Sequence, residues 1–211
     1  QHARLDLWMT GFRTLPSWTG KGEPSTVYDL KAIVGNIFRR LGIAERSLTS
    51  AQGSDEIFAV KLDISTRSGK RIAEVGILAT DLLRRFDIGQ PVVYATIDWD
   101  ALMQLAAKTK VEYAPLPKTM PVKRDLALLV DKDVTFARIE DVIRRSERKL
   151  LGEVWLFDVY EGKQILSNKK SMAFTVLFTP KDEAFGADTV DGYVKKILKQ
   201  LNKTYGIELR S

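Results

Sequence analysis

Two apolar runs dominate the second half of the chain, Lys149-Leu-Leu-Gly-Glu-Val-Trp-Leu-Phe-Asp-Val-Tyr-Glu-Gly162 and Lys169-Lys-Ser-Met-Ala-Phe-Thr-Val-Leu-Phe178. Both are rich in β-branched and aromatic residues, and the polar segment between them holds Gly162, Ser167 and Asn168. Such runs pair as antiparallel strands, and here they are expected to form the central hairpin of a sheet. Trp155, Phe157, Phe174, Val176, Leu177 and Phe178 make in/out alternation weak, so both faces are expected to touch something, helices on one side and a partner on the other.

The flanking pattern completes a doubled βαβ unit. A strand Arg124–Asp131 leads to a helix from about Thr135 to Arg148 with Phe136, Ile139, Val142 and Ile143 inward. After the hairpin, Asp188 is expected to cap a second helix. It carries Val190, Val194, Ile197, Leu198, Leu201 and Tyr205 at spacings of one face and stops at Gly206, before an edge strand Ile207–Arg210. Two such halves predict a ferredoxin-like βαββαβ sandwich over residues 120–211, one antiparallel sheet backed by two helices.

The first half reads differently. Residues 3–13 look like a strand without an earlier partner in the sequence, and Pro16 to Pro24 is a loop by its Gly and Pro content. Ser25 or Thr26 caps a helix with Leu30, Ile33, Val34, Ile37, Phe38 and Leu41 as its apolar stripe and Gly42 as its stop. Ile57–Ser65 and Arg71–Leu78 pair through a turn at Arg67-Ser-Gly-Lys70. A short helix Thr80–Phe86, a strand Val92–Ile97 and a helix capped by Asp98 or Asp100 follow. Three prolines in Ala114–Pro121 favour an extended connection, which sets a domain boundary between residues 1–115 and 120–211. The fold class is α+β.

Composition changes the picture in three places. Cysteine is absent, so disulfides and cysteine-based metal or nucleophile sites are excluded, in keeping with a reducing compartment. The one histidine is His2. No run approaches the ~18 apolar residues that span a bilayer, and the start lacks a signal-like block, so the chain reads as an excised cytoplasmic fragment. The net charge of +6 points to a polyanionic partner, and residues 116–211 carry more of it, with 18 basic and 14 acidic side chains against 15 and 13 before them.

Candidate chemistry is positional. There is no Gly-rich phosphate loop, no His/Cys/Asp metal cluster and no Ser–His pair, so no catalytic residue and no metal ligand is assigned. Lys123, Arg124, Lys163, Lys169 and Lys170 flank the hairpin strands as a basic rim suited to phosphates. Phe157, Tyr160 and Phe174 have the chemistry to stack on bases, but period two puts Met172, Phe174, Val176 and Phe178 on the core face. Ala173, Thr175 and Leu177 then face out, and Thr175 joins the rim as a candidate nucleic-acid contact. Lys195, Lys199 and Lys203 recur every four residues opposite the apolar stripe of the last helix, as a solvated face does. Trp18, Trp99 and Trp155 are expected to pack, and Asp158, inside an apolar run, needs hydrogen-bond donors if buried.

Arg124-Asp-Leu-Ala-Leu128, Leu156-Phe-Asp-Val-Tyr-Glu-Gly162, Lys169-Lys-Ser-Met-Ala-Phe174 and Tyr205-Gly-Ile-Glu-Leu-Arg210 resemble, in order and spacing, the landmarks of the ferredoxin-fold anticodon-binding domain that closes the bacterial phenylalanyl-tRNA synthetase β subunit. Gly11 through Trp18 and Tyr28-Asp-Leu-Lys31 resemble that family's catalytic-like domain, an inert relative of class II synthetase cores, and the resemblance implies one of that domain's loops at Ala51-Gln-Gly-Ser54. The resemblance implies an antiparallel-sheet class II synthetase-like domain (partial) followed by the ferredoxin-like sandwich. It implies a non-catalytic C-terminal fragment of an α2β2 phenylalanine-tRNA ligase, with tRNA(Phe) and the α subunit as partners. ATP and Mg2+ would serve the complete synthetase and no cofactor this fragment. A small-ligand-sensing regulatory module and a protein-interaction scaffold stay open as alternatives.

Overall fold

The structure, a computed structural model, describes residues 2–109, 119–147, 150–162, 165–179 and 187–209. The chain divides into two compact units, Gln1–Tyr113 and Ala114–Ser211. Arg148, Lys163, Arg210 and most of the proline-rich segment from Ala114 lie outside the described residues.

The first unit runs β1 (Arg4–Thr10), β2 (Phe12–Thr14), β3 (Glu23–Pro24), α1 (Val27–Arg40), β4 (Leu48–Gly53), β5 (Phe58–Thr66), β6 (Arg71–Leu78), α2 (Thr80–Arg85), β7 (Val92–Asp98) and α3 (Trp99–Ala106). Five strands form an antiparallel sheet in the order β1-β7-β6-β5-β4. The partner of β1 therefore comes late in the chain, with Leu5 opposite Ile97. α1 starts where Thr26 and Asp29 form a capping box, the Thr26 hydroxyl accepting from the Asp29 amide and the Asp29 carboxylate from the Thr26 amide. The helix ends before Gly42, whose φ of +76° suits glycine. Leu30, Val34 and Phe38 of α1, with Ala101 and Leu102 of α3, bury one sheet face as the core. Asp98 caps α3 by accepting from the Ala101 amide at 2.8 Å.

Two expectations fail here. The segment read as the loop Ala51–Ser54 belongs largely to β4, which pairs with β5 through Gly53 opposite Lys61. Its composition hid it, since Leu48-Thr-Ser-Ala-Gln-Gly53 has no apolar alternation and lies at the sheet edge. Trp18 does not pack: it is 97% exposed, in the turn bridged by Ser17 and Gly20. Trp99 does rest on the core.

The second unit runs β8 (Val122–Asp131), α4 (Phe136–Ser146), β9 (Leu151–Tyr160), β10 (Lys169–Phe178), α5 (Ala187–Tyr205) and β11 (Glu208–Leu209). Its antiparallel sheet has the order β11-β8-β10-β9, the ferredoxin-like arrangement. The hairpin is thus not central as a pair, because β8 and β10 fill the middle and β9 lies at the edge. Asp158 is exposed there, so the need for buried donors does not arise. Asp188 sits within the first turn of α5 rather than ahead of it. Ile139 and Ile143 of α4, and Val190, Ile197 and Leu201 of α5, pack on Leu126, Leu128, Met172, Phe174, Val176 and Phe178. At roughly 1.5–3 kcal/mol for each fully buried large apolar side chain, this cluster is the main favourable contribution to the unit.

Candidate nucleic-acid interface

Strand pairing decides which side chains share the sheet face turned away from the helices. Met172, Phe174, Val176 and Phe178 point into the core, so Lys169, Ser171, Ala173, Thr175 and Leu177 point away from it. Directly opposite residues lie on one face, which adds Lys123, Asp125, Ala127, Leu129 and Asp131 from β8. A bulge in β9 skips Phe157: Trp155 faces Thr175, Asp158 faces Ala173 and Tyr160 faces Ser171. Both helices pack on the other face.

This platform is polar and aromatic with a tight floor. Thr175 is fully buried between its cross-strand neighbours, and its hydroxyl donates a 2.6 Å hydrogen bond to Asp125. That bond, followed by Lys123 with its Nζ 3.2 Å away, holds the Asp125 carboxyl below the usual carboxylate range. Lys123 is thereby partly neutralised by its own strand. Trp155 is 38% exposed and Phe157 more so, while Phe174 is wholly core. Of the three aromatics with stacking chemistry, Phe157 and Tyr160 are the ones solvent reaches.

The candidate residues do not form one rim. Lys123 and Lys169 share the outer face with Thr175 but stand at opposite ends, because Lys123 pairs with Leu177 and Lys169 with Asp131. Eight residues of strand separate them along β10, about 27 Å. Arg124 belongs to the helix side, where its Nε and Nη2 lie 3.3 and 3.2 Å from Asp191 of α5. Lys170 is also of that parity, and its Nζ donates to the Lys132 carbonyl at 2.7 Å. Lys163 lies outside the described residues.

Sequence reasoning missed two charged constellations. A groove between α4 and α5 is lined by Arg138, Arg145 and Lys196 together with Asp141. Two amphipathic helices with basic outer faces, both visible in the sequence, imply such a groove once they pack side by side. In the first unit, Lys61 is only 5% exposed and its Nζ lies 2.7 Å from Asp55 and 3.4 Å from both Asp63 and Glu74. Arg71 adds a 2.7 Å contact to Glu74. Burial pulls the Lys61 ammonium down, but the Asp55 hydrogen bond and the Glu74 and Asp63 charges outweigh it and raise the pKa. Asp55 is lowered, chiefly by the hydrogen bond from Lys61. Period two on β5 and β6 was the signal, since Lys61, Asp63 and Glu74 share a face. The charges offset one another as in a structural network, although Asp63 Oδ1 is buried without a hydrogen-bond partner and has only the Lys61 and Arg71 charges at 3.4 and 3.7 Å.

Among the described residues no three His, Cys, Asp or Glu side chains gather as a metal site, and no helix is long and apolar enough to cross a membrane.

The second unit is a ferredoxin-like sandwich with its helices on one face of the sheet, and it belongs to the class of ferredoxin-fold anticodon-binding domains: residues 117–210 match the family model described as "Ferredoxin-fold anticodon binding domain". Residues 1–99 match "Phenylalanyl tRNA synthetase beta chain CLM domain". The phenylalanine-tRNA ligase beta subunit of Bacteroides fragilis is 42% identical over 206 residues, 98% of this chain and 25% of that protein. That of Porphyromonas gingivalis is 40% identical over 207 residues, and that of Listeria monocytogenes 30% over 202, each again with a quarter of its length covered. The chain belongs to the phenylalanine-tRNA ligase beta-subunit family and spans about a quarter of the length of these curated relatives, in their C-terminal part.

Proposed function

We propose that this chain is a non-catalytic part of a cytoplasmic phenylalanine-tRNA ligase, in which residues 120–211 hold the anticodon region of tRNA(Phe). Residues 1–115 form part of an inert class II synthetase-like domain that packs on the catalytic α subunit of an α2β2 assembly. The observation that carries this reading is the match of residues 117–210 to an anticodon binding domain within 42% identity across 98% of the chain. ATP and Mg2+ supply the activation chemistry at the α subunit.

The contribution of this chain is to position. Lys123 and Lys169 neutralise phosphates at the two ends of the platform, while Arg124 and Lys170 add positive charge on the helical side of the same strands. Thr175 and Asp125 fix the floor, and the exposed ring of Phe157 is the platform on which an unstacked base rests. Holding the anticodon arm orients the distant acceptor end toward α, so the binding energy acts as orientation.

The test is tRNA(Phe) binding to the intact ligase with Lys123→Glu and Lys169→Glu combined. Affinity is expected to fall about tenfold or more at physiological salt, and the dependence of log K on log salt to flatten by about 0.7–0.9 for each lost phosphate contact. Unchanged affinity and slope would remove the sheet from the binding surface.

A further inference from the structure

The outer face of α5 is built against its own stability. Lys199 has Lys195 four residues before it, Lys196 three before and Lys203 four after, and no carboxylate at these positions. Like charges at helical spacing repel, and the helix dipole favours cations only in the last turn, which holds Lys203 alone of the four. Elsewhere on the helical side, cations are matched: Arg144 with Glu140, Arg145 with Asp141, and Arg124 with Asp191. Among the described residues, no carboxylate lies within 4.0 Å of Arg138, Lys195, Lys199 or Lys203.

Of these four, Arg138 lines a groove, and Lys195, Lys199 and Lys203 each precede a groove-lining residue of α5 by one position. The groove between α4 and α5 is an open trough of about 490 Å³ lined by Arg138, Arg145 and Lys196, with Asp141 as its one carboxylate among the described residues. Lys196 Nζ approaches Glu147 only to 3.8 Å. The lysine stripe runs alongside, and Lys195 to Lys203 spans about 12 Å of helix axis, enough for more than one phosphate of a strand. The sheet side is poorer in uncompensated charge, since Lys123 is held by Asp125 and Lys132 by Glu161. The positive excess of the unit therefore concentrates behind the sheet.

We propose that the α4–α5 groove with its lysine stripe is a second docking surface for the RNA sugar-phosphate backbone, seating at least two phosphates of the tRNA outside the loop held by the sheet. The inference rests on the reading that tRNA is the partner. It assigns the helical face a phosphate-binding role and accounts for a charge pattern that helix stability disfavours.

The experiment measures tRNA(Phe) binding by the intact ligase between 50 and 300 mM KCl, on the order of the range in which phosphate contacts dominate. The groove variant is Arg138→Gln, Lys199→Gln and Lys203→Gln together, and the control is Arg138→Lys, Lys199→Arg and Lys203→Arg. The sheet variant Lys123→Glu with Lys169→Glu is measured in parallel. The slope of the groove variant is expected to fall by at least about 1.4, two phosphates at about 0.7 each, and the control to keep the parent slope. An unchanged groove slope with an altered sheet slope overturns this inference and leaves the proposed function standing. If neither slope moves, both fall. Loss of binding that the charge-keeping control fails to restore would show packing rather than charge, and also overturns it.

Discussion

Replacing Lys61 with methionine tests the buried charge network of the first unit. The side chain is 5% exposed, and its ammonium faces three carboxylates at 2.7, 3.4 and 3.4 Å. Methionine fills much of the same space, so the loss is electrostatic: Asp55, Asp63 and Glu74 are left beside one another with Arg71 alone to compensate. Breaking a buried ion pair by removing one partner costs about 3–5 kcal/mol. The carboxylates here are partly solvated and Arg71 remains, which reduces the expected cost to about 2–3 kcal/mol. For a unit of this size that corresponds to a fall in Tm of about 8–18 °C.

The pH dependence carries the diagnostic sign. Asp55 is lowered in the folded state, so its stabilising contribution is present above the unfolded carboxylate pKa and lost as pH falls through the folded value. Lys61 is raised, so its contribution is present below the unfolded lysine pKa and lost as pH rises through the folded one. Lys61→Met should weaken the acid dependence and abolish the alkaline loss due to this site. Thermal unfolding followed by circular dichroism from pH 3 to 11, roughly the span of the two reference values, reads both. A variant as stable as the parent at neutral pH would refute the reasoning.

Phe174→Ala should destabilise the second unit by about 3–5 kcal/mol in urea unfolding, since the ring is fully buried against Phe136 at 5.8 Å. The folded fraction should keep its tRNA affinity, and a specific binding defect without a stability change would return Phe174 to the base-stacking role. Asp125→Asn releases the partly masked Lys123, so tRNA binding should tighten and its salt slope steepen by a fraction of the about 0.7–0.9 that one whole phosphate contact gives; weaker binding would show that Asp125 positions rather than masks the lysine. Asp98→Ala removes the cap of α3, an expected loss of about 1 kcal/mol by chemical denaturation, and a neutral result would mean that the Ala101 amide finds another acceptor.

The legible parts of the fold were those with a period and a terminus. α1 showed both, with Thr26 and Asp29 before a stripe of Leu30, Val34 and Phe38 and Gly42 behind it. β10 was legible through Met172, Phe174, Val176 and Phe178, all of which are buried. β9 was legible as a strand paired with β10 but not in its place, because an apolar run says nothing about edge or centre, and a bulge at Phe157 changes which residues share its outer face. β4 escaped notice because an edge strand of polar residues is held by backbone pairing to β5. The basic residues were found, but their separation was not. Whether Arg124 joins Lys123 depends on strand parity, and parity assigns Arg124 to Asp191 on the helical side. The α4–α5 groove needed two helices that lie far apart in sequence to pack together.

Hydroxyl-radical footprinting of tRNA(Phe) on the intact ligase probes the central claim most directly. The account predicts backbone protection in the anticodon stem and loop that disappears when Lys123→Glu and Lys169→Glu are introduced together. An anticodon arm cleaved equally with and without the ligase would contradict it.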